Sequence, residues 1–193
     1  MSAVTYDDAL AAIEARLGKK AAKHCKRVSD AATALAVVYG VDADLARLAG
    51  LLHDWDREQT PEALLAAARQ AGIEITPADE ATPHLLHART GAVAAAAALP
   101  GLPDEVVTAI SRHTIGAMDM SGLDMVVYLA DMIESHRDYD GVEGLRAAVG
   151  VVSLAELFAR GYQQSTTHLI DARRRIHPVT IDVWNEYVAG DPR

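Results

Sequence analysis

The feature that most narrows the fold is punctuation. Apolar residues recur at the spacing of one helix face, and Gly or Pro cuts the runs every few turns. The segment "TPEALLAAARQAG" shows the grammar complete. Thr60 stands at a capping position. Pro61 sits at the first helical position, where its missing N–H costs nothing. Gly72 follows the last turn, where a left-handed residue is needed. No segment sustains the period-2 alternation of a half-buried strand. Abundant alanine and an aromatic content of only 5% also suit closely packed helices. The fold expected is all-α.

The same signals lay out the chain. Thr5 with Asp7 and Asp8 starts a helix that Gly18 stops. A second helix runs from about residue 20 to Tyr39, with Gly40 just past its end. Val28, Ala31, Ala32, Leu35 and Val38 fall on one of its faces. A third spans Asp42 to His53, and residues 60–72 form the fourth. "ITPADEATP" reads as a loop. "HLLHARTGAVAAAAALP", "PDEVVTAISRH" and "GLDMVVYLADMIESH" read as three further helices, the last with Met125, Leu129 and Met132 facing inward. "SHRDYDGVEG" reads as a loop. Residues 142–188 hold two or three more helices, one of them beginning after Pro178. There is no repeat, linker or compositional break. One domain is therefore expected over 1–193, with a site-bearing core at about 20–137 and additional C-terminal helices at about 142–188.

The totals exclude several partner classes. A formal net charge of -9 with no basic tail argues against duplex nucleic acid, whose binding needs many Lys/Arg–phosphate contacts. A small polyphosphate stays open, because bound cations invert the local field. The single cysteine, Cys25, cannot form an internal disulfide and is expected to pack as a small side chain. The N-terminal stretch lacks a basic start followed by an apolar run, and no segment is apolar enough to span a bilayer. A cytoplasmic protein without membrane contact is expected, and the sequence leaves room for a homodimer.

The chemistry begins at "LAGLLHDWDRE". An apolar helix runs to Leu52 and then places His53 and Asp54 side by side. A carboxylate at a core edge is costly unless paired or metal-bound. Capping, or pairing with Arg57, is an even alternative for the dipeptide alone. The pattern recurs, however. His87 follows "LL" and His113 ends "AISRH". Asp131 interrupts the apolar "VVYLADMI", and His24 precedes an apolar stripe. His24, His53, Asp54, His87, His113 and Asp131 are thus the candidates, four imidazoles and two carboxylates. Four such ligands hold one divalent ion with room for water. Six, with one bridging carboxylate, hold two. Nitrogen and oxygen donors without thiolate suit Fe, Mn, Co, Ni or Zn. Two adjacent ions can share a hydroxide and clamp a phosphoryl group, with coordination lowering the water pKa from 15.7 to about 7. No GxSxG, P-loop or GxGxxG offers a competing machinery. His84 is left out of the set, and His136 and His168 are expected to be exposed.

The order His … His-Asp … Asp on a helical chain resembles the HD-domain metal-dependent phosphohydrolases. "HLLHARTGA", "AISRHTIG", "YLADMIESHRDYDGVEGLR" and "RRIHPVTID" carry the resemblance further, to the YqeK-type bacterial family of symmetrical diadenosine tetraphosphate hydrolases. It extends from about His24 to Asn185 and implies an HD-type helical bundle. It implies that His24, His53, Asp54 and Asp131 hold one metal, that His87 and His113 hold a second, and that Asp54 bridges them. It also implies two divalent ions, with iron favoured, and a dinucleoside polyphosphate or nucleotide as the small-molecule partner, cleaved at its middle to two ADP. Asp54 and Arg57 carry over as catalytic, and Arg57, Thr114 and Arg137 as substrate contacts. Three positions depart from the family pattern. Arg57 stands where Lys is more usual, Ser135 where Pro is expected, and Asp56 where a small residue is common. Asp56 reads as an exposed bystander or, less favoured, a partner of the metal ligands. His177, before Pro178, is expected to end a helix.

A basic patch, "KKAAKHCKR", surrounds His24. A solvated face is its ordinary reading. Capture of a polyphosphate by Lys26 and Arg27 is the sharper one. Three alternatives remain beside the leading function: an HD-type phosphohydrolase acting on other nucleotides, a di-iron oxygenase, and a metal-stabilised binding module without turnover. Arginines beside the motif favour a phosphate over a neutral oxygenase substrate.

Overall fold

In the computed structural model, which describes residues 4–189, side-chain caps set most helix starts. Thr5 and Asp8 form a reciprocal capping box at α1 (Tyr6–Arg16). α2 (Lys19–Tyr39) ends at Gly40 in the left-handed region. The Asp42 carboxylate accepts from the Asp44 and Leu45 N–H groups to start α3 (Ala43–Leu52). Thr60 and Pro61 start α4 (Pro61–Gln70) as the sequence predicts. A second capping box, Thr76 with Asp79, starts α5 (Pro77–Ala81). A 3-10 turn (Pro83–Leu86) then leads into α6 (His87–Ala98) and α7 (Asp104–Arg112). Ser121 and Asp124 box the start of α8 (Gly122–Ile133). α9 (Val142–Ala148), α10 (Leu154–Asp171) and α11 (Pro178–Tyr187) complete eleven α-helices among the described residues. Each side-chain cap contributes about 1 kcal/mol to its helix.

Four readings change. The segment 75–83 is not all loop, because the Thr76–Asp79 box nucleates α5 within it. Residues 84–100 are not one helix: a 3-10 turn occupies the start and α6 begins at His87. Val38 is 50% exposed, because α2 runs beyond the core at its last turn. His177 does not end a helix. Its ring accepts from the Val179 N–H and caps the start of α11.

The main core gathers α2, α3, α7 and α8, with α1 against α3 and α10 against α8. Leu51, Leu52, Val126, Leu129 and Ile110 are fully buried there. Each such side chain contributes about 1.5–3 kcal/mol on leaving water. Tyr128 of α8 meets Phe158 of α10 edge-on at 5.2 Å between ring centroids, and Tyr162 lies beside both. Leu64, Ala68 and Leu86 form a smaller cluster beneath α4 and the 3-10 turn. Among the described residues, no helix is long and apolar enough to cross a membrane.

Gly50 sets the spacing of α2 and α3. A methyl group there would lie 3.0 Å from the Ser29 Cα, the Val28 carbonyl oxygen and the Ala32 Cβ, two of them backbone atoms. Backbone cannot step aside as a side-chain tip can. Gly50→Ala is therefore expected to cost about 1–3 kcal/mol by overpacking. Thermal unfolding should show Tm falling by roughly 2–4 °C per kcal/mol at this chain length. An unchanged Tm would mean that the two helices part freely.

Candidate metal centre

Three histidines are oriented by one repeated local device. His53 directly follows the last turn of α3, and its Nδ1 lies 2.9 Å from the Gly50 carbonyl oxygen. His113 follows α7, with Nδ1 2.8 Å from the Ile110 carbonyl. His87 follows the 3-10 turn, with Nδ1 2.6 Å from the His84 carbonyl. Helix ends leave carbonyls without intrahelical donors. A histidine three residues on supplies the donor, which assigns Nδ1 as the protonated nitrogen and leaves Nε2 as a free acceptor. His24, on the second turn of α2, uses a carboxylate instead: its Nδ1 lies 3.2 Å from Glu134 Oε1.

The four Nε2 atoms converge on two carboxylates. Asp54 Oδ2 lies 3.4 Å from His53 Nε2 and 3.8 Å from His24 Nε2. Asp54 Oδ1 lies 3.1 Å from His87 Nε2 and 3.6 Å from His113 Nε2. Each oxygen of one carboxylate thus faces its own pair of imidazoles. Asp131 Oδ1 joins the first pair, 3.0 Å from His24 Nε2 and 3.9 Å from His53 Nε2.

These side chains fit divalent cations on their own chemistry. His53 Nε2 is buried and has no hydrogen-bond partner. His87 and His113 bring their Nε2 atoms to 3.2 Å. With both Nδ1 protons committed to carbonyls, two lone pairs face each other there, which is unfavourable without a positive charge between them. His24, His53 and Asp131 form one group with metal-binding spacing, and His53, Asp54 and His113 another. The imidazole and carboxylate donors match borderline-to-hard divalent ions.

Electrostatics point the same way. Burial pushes the Asp54 carboxyl up, but His53, His113 and His87 outweigh it and hold the group ionised far below the usual range. Asp131 behaves likewise through His24, His53 and Arg137. Burial pushes His53 down, yet Asp54 and Asp131 hold it up at about 9. The centre draws positive charge. Burial, with the neighbouring His53 and His87 charges, keeps His113 below its ordinary value.

Glu134, Arg27 and Arg146 brace the centre: the sequence assigns no role to Glu134 or Arg146, and it offers Arg27 for substrate capture instead. The Glu134 carboxylate accepts from Arg27 Nε at 2.6 Å and from the His136 N–H at 2.7 Å while holding His24. Burial would raise its carboxyl, but these donors bring it down to about 2. Arg146 Nη2 donates to the Glu134 carbonyl at 2.6 Å and to the Arg137 carbonyl at 3.0 Å, tying down the end of α8. One signal was available: Glu134 lies three residues after Asp131 and so shares its helix face. Partners of metal-binding histidines typically contribute 10–100-fold to affinity, so Glu134→Gln is expected to weaken metal retention by about that factor. Competition with a chelator reads this directly, and an unchanged midpoint would remove Glu134 from the centre's support.

Other sequence-predicted residues take different places. Arg57, exposed, and Thr114 line the mouth of the centre, a cavity of about 220 Å3, together with Tyr128, Met132, Arg137 and Ser165. Thr114 Oγ1 is 3.2 Å from His113 Nε2. Arg137 turns back onto Asp131, pairing with its carboxylate and donating from Nε to its carbonyl at 2.8 Å. Lys26 pairs with Glu14, and Arg27 is spent on Glu134, so neither stands free as the capture hypothesis assumed. Asp56 is no exposed bystander. It is 3% exposed and its carboxylate is gripped by Arg16, whose Nε also donates to the Trp55 carbonyl. Asp56 therefore ties the His53–Asp54 turn to α1. His136 and His168 are exposed, and His84 offers its carbonyl to His87 rather than its ring.

The chain is similar to known proteins over nearly its whole length. The HD domain family matches residues 21–135. A symmetrical bis(5'-nucleosyl)-tetraphosphatase of Halalkalibacterium halodurans is 31% identical over 92% of this chain and 94% of its own. One of the same name from Bacillus subtilis is 26% identical over 95% of this chain and 98% of its own. A crystal structure from Clostridium acetobutylicum, described as a predicted HD superfamily hydrolase involved in NAD metabolism, superposes with a TM-score of 0.89 at 31% identity, covering 96% of this chain and 98% of that one. On the family match and on near full-length similarity to these relatives, this chain belongs to the HD-domain superfamily of hydrolases, in its YqeK-type branch.

Proposed function

We propose that this enzyme hydrolyses a dinucleoside tetraphosphate at the middle of its phosphate chain, at a centre of two divalent ions, releasing two nucleoside diphosphates. The observation that carries the two-ion reading is the Asp54 carboxylate, whose two oxygens face two separate imidazole pairs. The substrate class is supported by the relatives named as symmetrical bis(5'-nucleosyl)-tetraphosphatases.

When bound, two such ions supply Lewis-acid polarisation of phosphoryl oxygens and lower the pKa of a water. The chain's own residues do the rest. The Nδ1–carbonyl bonds of His53, His87 and His113 fix the imidazoles before substrate arrives, so no reorganisation is needed during the reaction. Arg57 and Thr114 stand at the mouth, where they can hold non-bridging oxygens of the central phosphates. Arg137 can join them by exchanging Asp131 for phosphate, a bidentate partner that suits its planar guanidinium. Water adds to one central phosphorus, the bridging P–O bond breaks, and both products carry two phosphates.

The test is product analysis. Purified protein loaded with Fe, Mn or Co and given diadenosine tetraphosphate should yield ADP alone. ATP with AMP would mean asymmetric cleavage and would overturn the proposal.

A further inference from the structure

The three carbonyls that aim imidazoles into the centre do not rest on equal ground. Those of Gly50 and Ile110, which orient His53 and His113, belong to buried residues of α3 and α7 in the main core. The His84 carbonyl, which orients His87, belongs to the 3-10 turn. His84 is itself exposed. The turn packs on the small cluster of Leu64, Ala68 and Leu86, apart from the main core. The only other helix between Thr76 and His87 is the five-residue α5. So short a helix does not hold itself in register. The aim of His87 therefore needs a further anchor.

Asp79 is placed to supply it. The side chain is fully buried. Its Oδ2 accepts from the Thr76 N–H at 2.8 Å and from the Thr76 hydroxyl at 2.7 Å, closing the capping box of α5. Its Oδ1 pairs with Arg89 of α6, two residues past His87. Arg89 Nη1 also donates to the Glu74 carbonyl at 3.1 Å, so one guanidinium joins α6 to the chain entering α5 and to α5 itself. His177 approaches the same Oδ1 from the start of α11. Its Nδ1 accepts from the Val179 N–H, so the neutral ring carries its proton on Nε2. That Nε2 is buried, has no hydrogen-bond partner and faces Asp79 Oδ1 at 3.5 Å. Burial would raise the Asp79 carboxyl, but Thr76, Arg89 and His177 hold it below its ordinary value. One carboxylate is thus the common anchor of α5, α6 and α11.

We propose that Asp79, acting through Arg89 and His177, is a positioning residue for the second ion. It holds the segment 74–87, and with it the His84 carbonyl that aims His87, against α6 and the start of α11. His177 lies outside the residues matched by the HD family, 21–135. The C-terminal helices thereby reach a ligand of the centre without touching it. The part in ion retention rests on the two-ion reading. The aim of His87 does not.

The test uses full-length, zinc-loaded protein. Heteronuclear NMR follows the imidazole Nδ1 protons of His53, His87 and His113, and competition with a chelator follows the ions. In Arg89→Ala the His87 proton should exchange with water about tenfold faster, while those of His53 and His113 stay within about twofold, because exchange reports local opening. The second ion should leave at about a tenfold lower chelator concentration, the low end of what partners of metal-binding histidines contribute, with the first ion unmoved. Arg89→Lys keeps a charge for Asp79 and should recover most of the loss. His177→Asn keeps a side chain able to cap α11 but gives up the Asp79 contact, and should speed exchange at His87 in the same way. Arg89 is partly exposed, so Arg89→Ala should fold, and His177→Asn tests the same anchor if it does not. An unchanged His87 proton, or equal acceleration at all three histidines, would overturn the assignment. A single ion in the unsubstituted protein would instead strike the proposed function, while the His87 proton would still decide the role of Asp79.

Discussion

Asp54→Ala is expected to abolish hydrolysis and to release both ions together. The carboxylate stands between His24 and His53 on one side and His87 and His113 on the other, one oxygen to each pair. Without it neither pair keeps a bridging anion, and the Nε2 atoms of His87 and His113, 3.2 Å apart, have no neighbouring negative charge. Two-ion stabilisation of a phosphoryl transfer contributes several kcal/mol, so kcat/KM should fall by roughly a thousandfold or more. The fold should persist. Asp54 is costly to bury when its cation is missing, and its removal leaves the surrounding helices with their own core. Circular dichroism unchanged, metal content near zero and activity lost form the expected set of results. Substantial activity in this variant would end the shared-carboxylate centre.

His87→Ala should separate the two ions. The first pole keeps His24, His53, Asp131 and Asp54 Oδ2, while the second is left with His113 and Asp54 Oδ1. Metal analysis should fall from two ions per chain toward one, and activity should fall by at least about a hundredfold, the loss of one partner in a two-metal clamp. His87 is 2% exposed, so some stability should also be lost through the cavity it leaves. Loss of both ions at equal chelator concentration would show that the poles are not independent.

Much of the fold was legible because its signals are local. Thr5, Asp42, Thr60 and Ser121 are caps whose hydrogen bonds span only a few residues, and three of these starts were read directly from the sequence. Where local signals compete, the reading failed. Thr76 and Asp79 look like loop formers but form a capping box, and the run from His84 hides a switch from 3-10 to α geometry. The centre was legible to the extent that burial of polar groups is conspicuous: His53 and Asp131 interrupt apolar runs. Its support was not. Glu134 meets Arg27 across 107 positions, and Asp56 meets Arg16 across 40. No periodicity encodes contacts at such separations. The Lys26 and Arg27 patch shows the converse, since charges adjacent in sequence proved to be committed to separate carboxylates, Glu14 and Glu134.

Anomalous scattering from crystals of the iron-loaded protein, measured across the iron edge, tests the two-ion centre most directly. Two peaks about 3.5–4 Å apart are expected, the spacing of two-metal sites, each beside a different oxygen of Asp54. One peak should lie among His24, His53 and Asp131, and the other between His87 and His113. A single peak, or two with Asp54 touching only one, would contradict the bridging carboxylate.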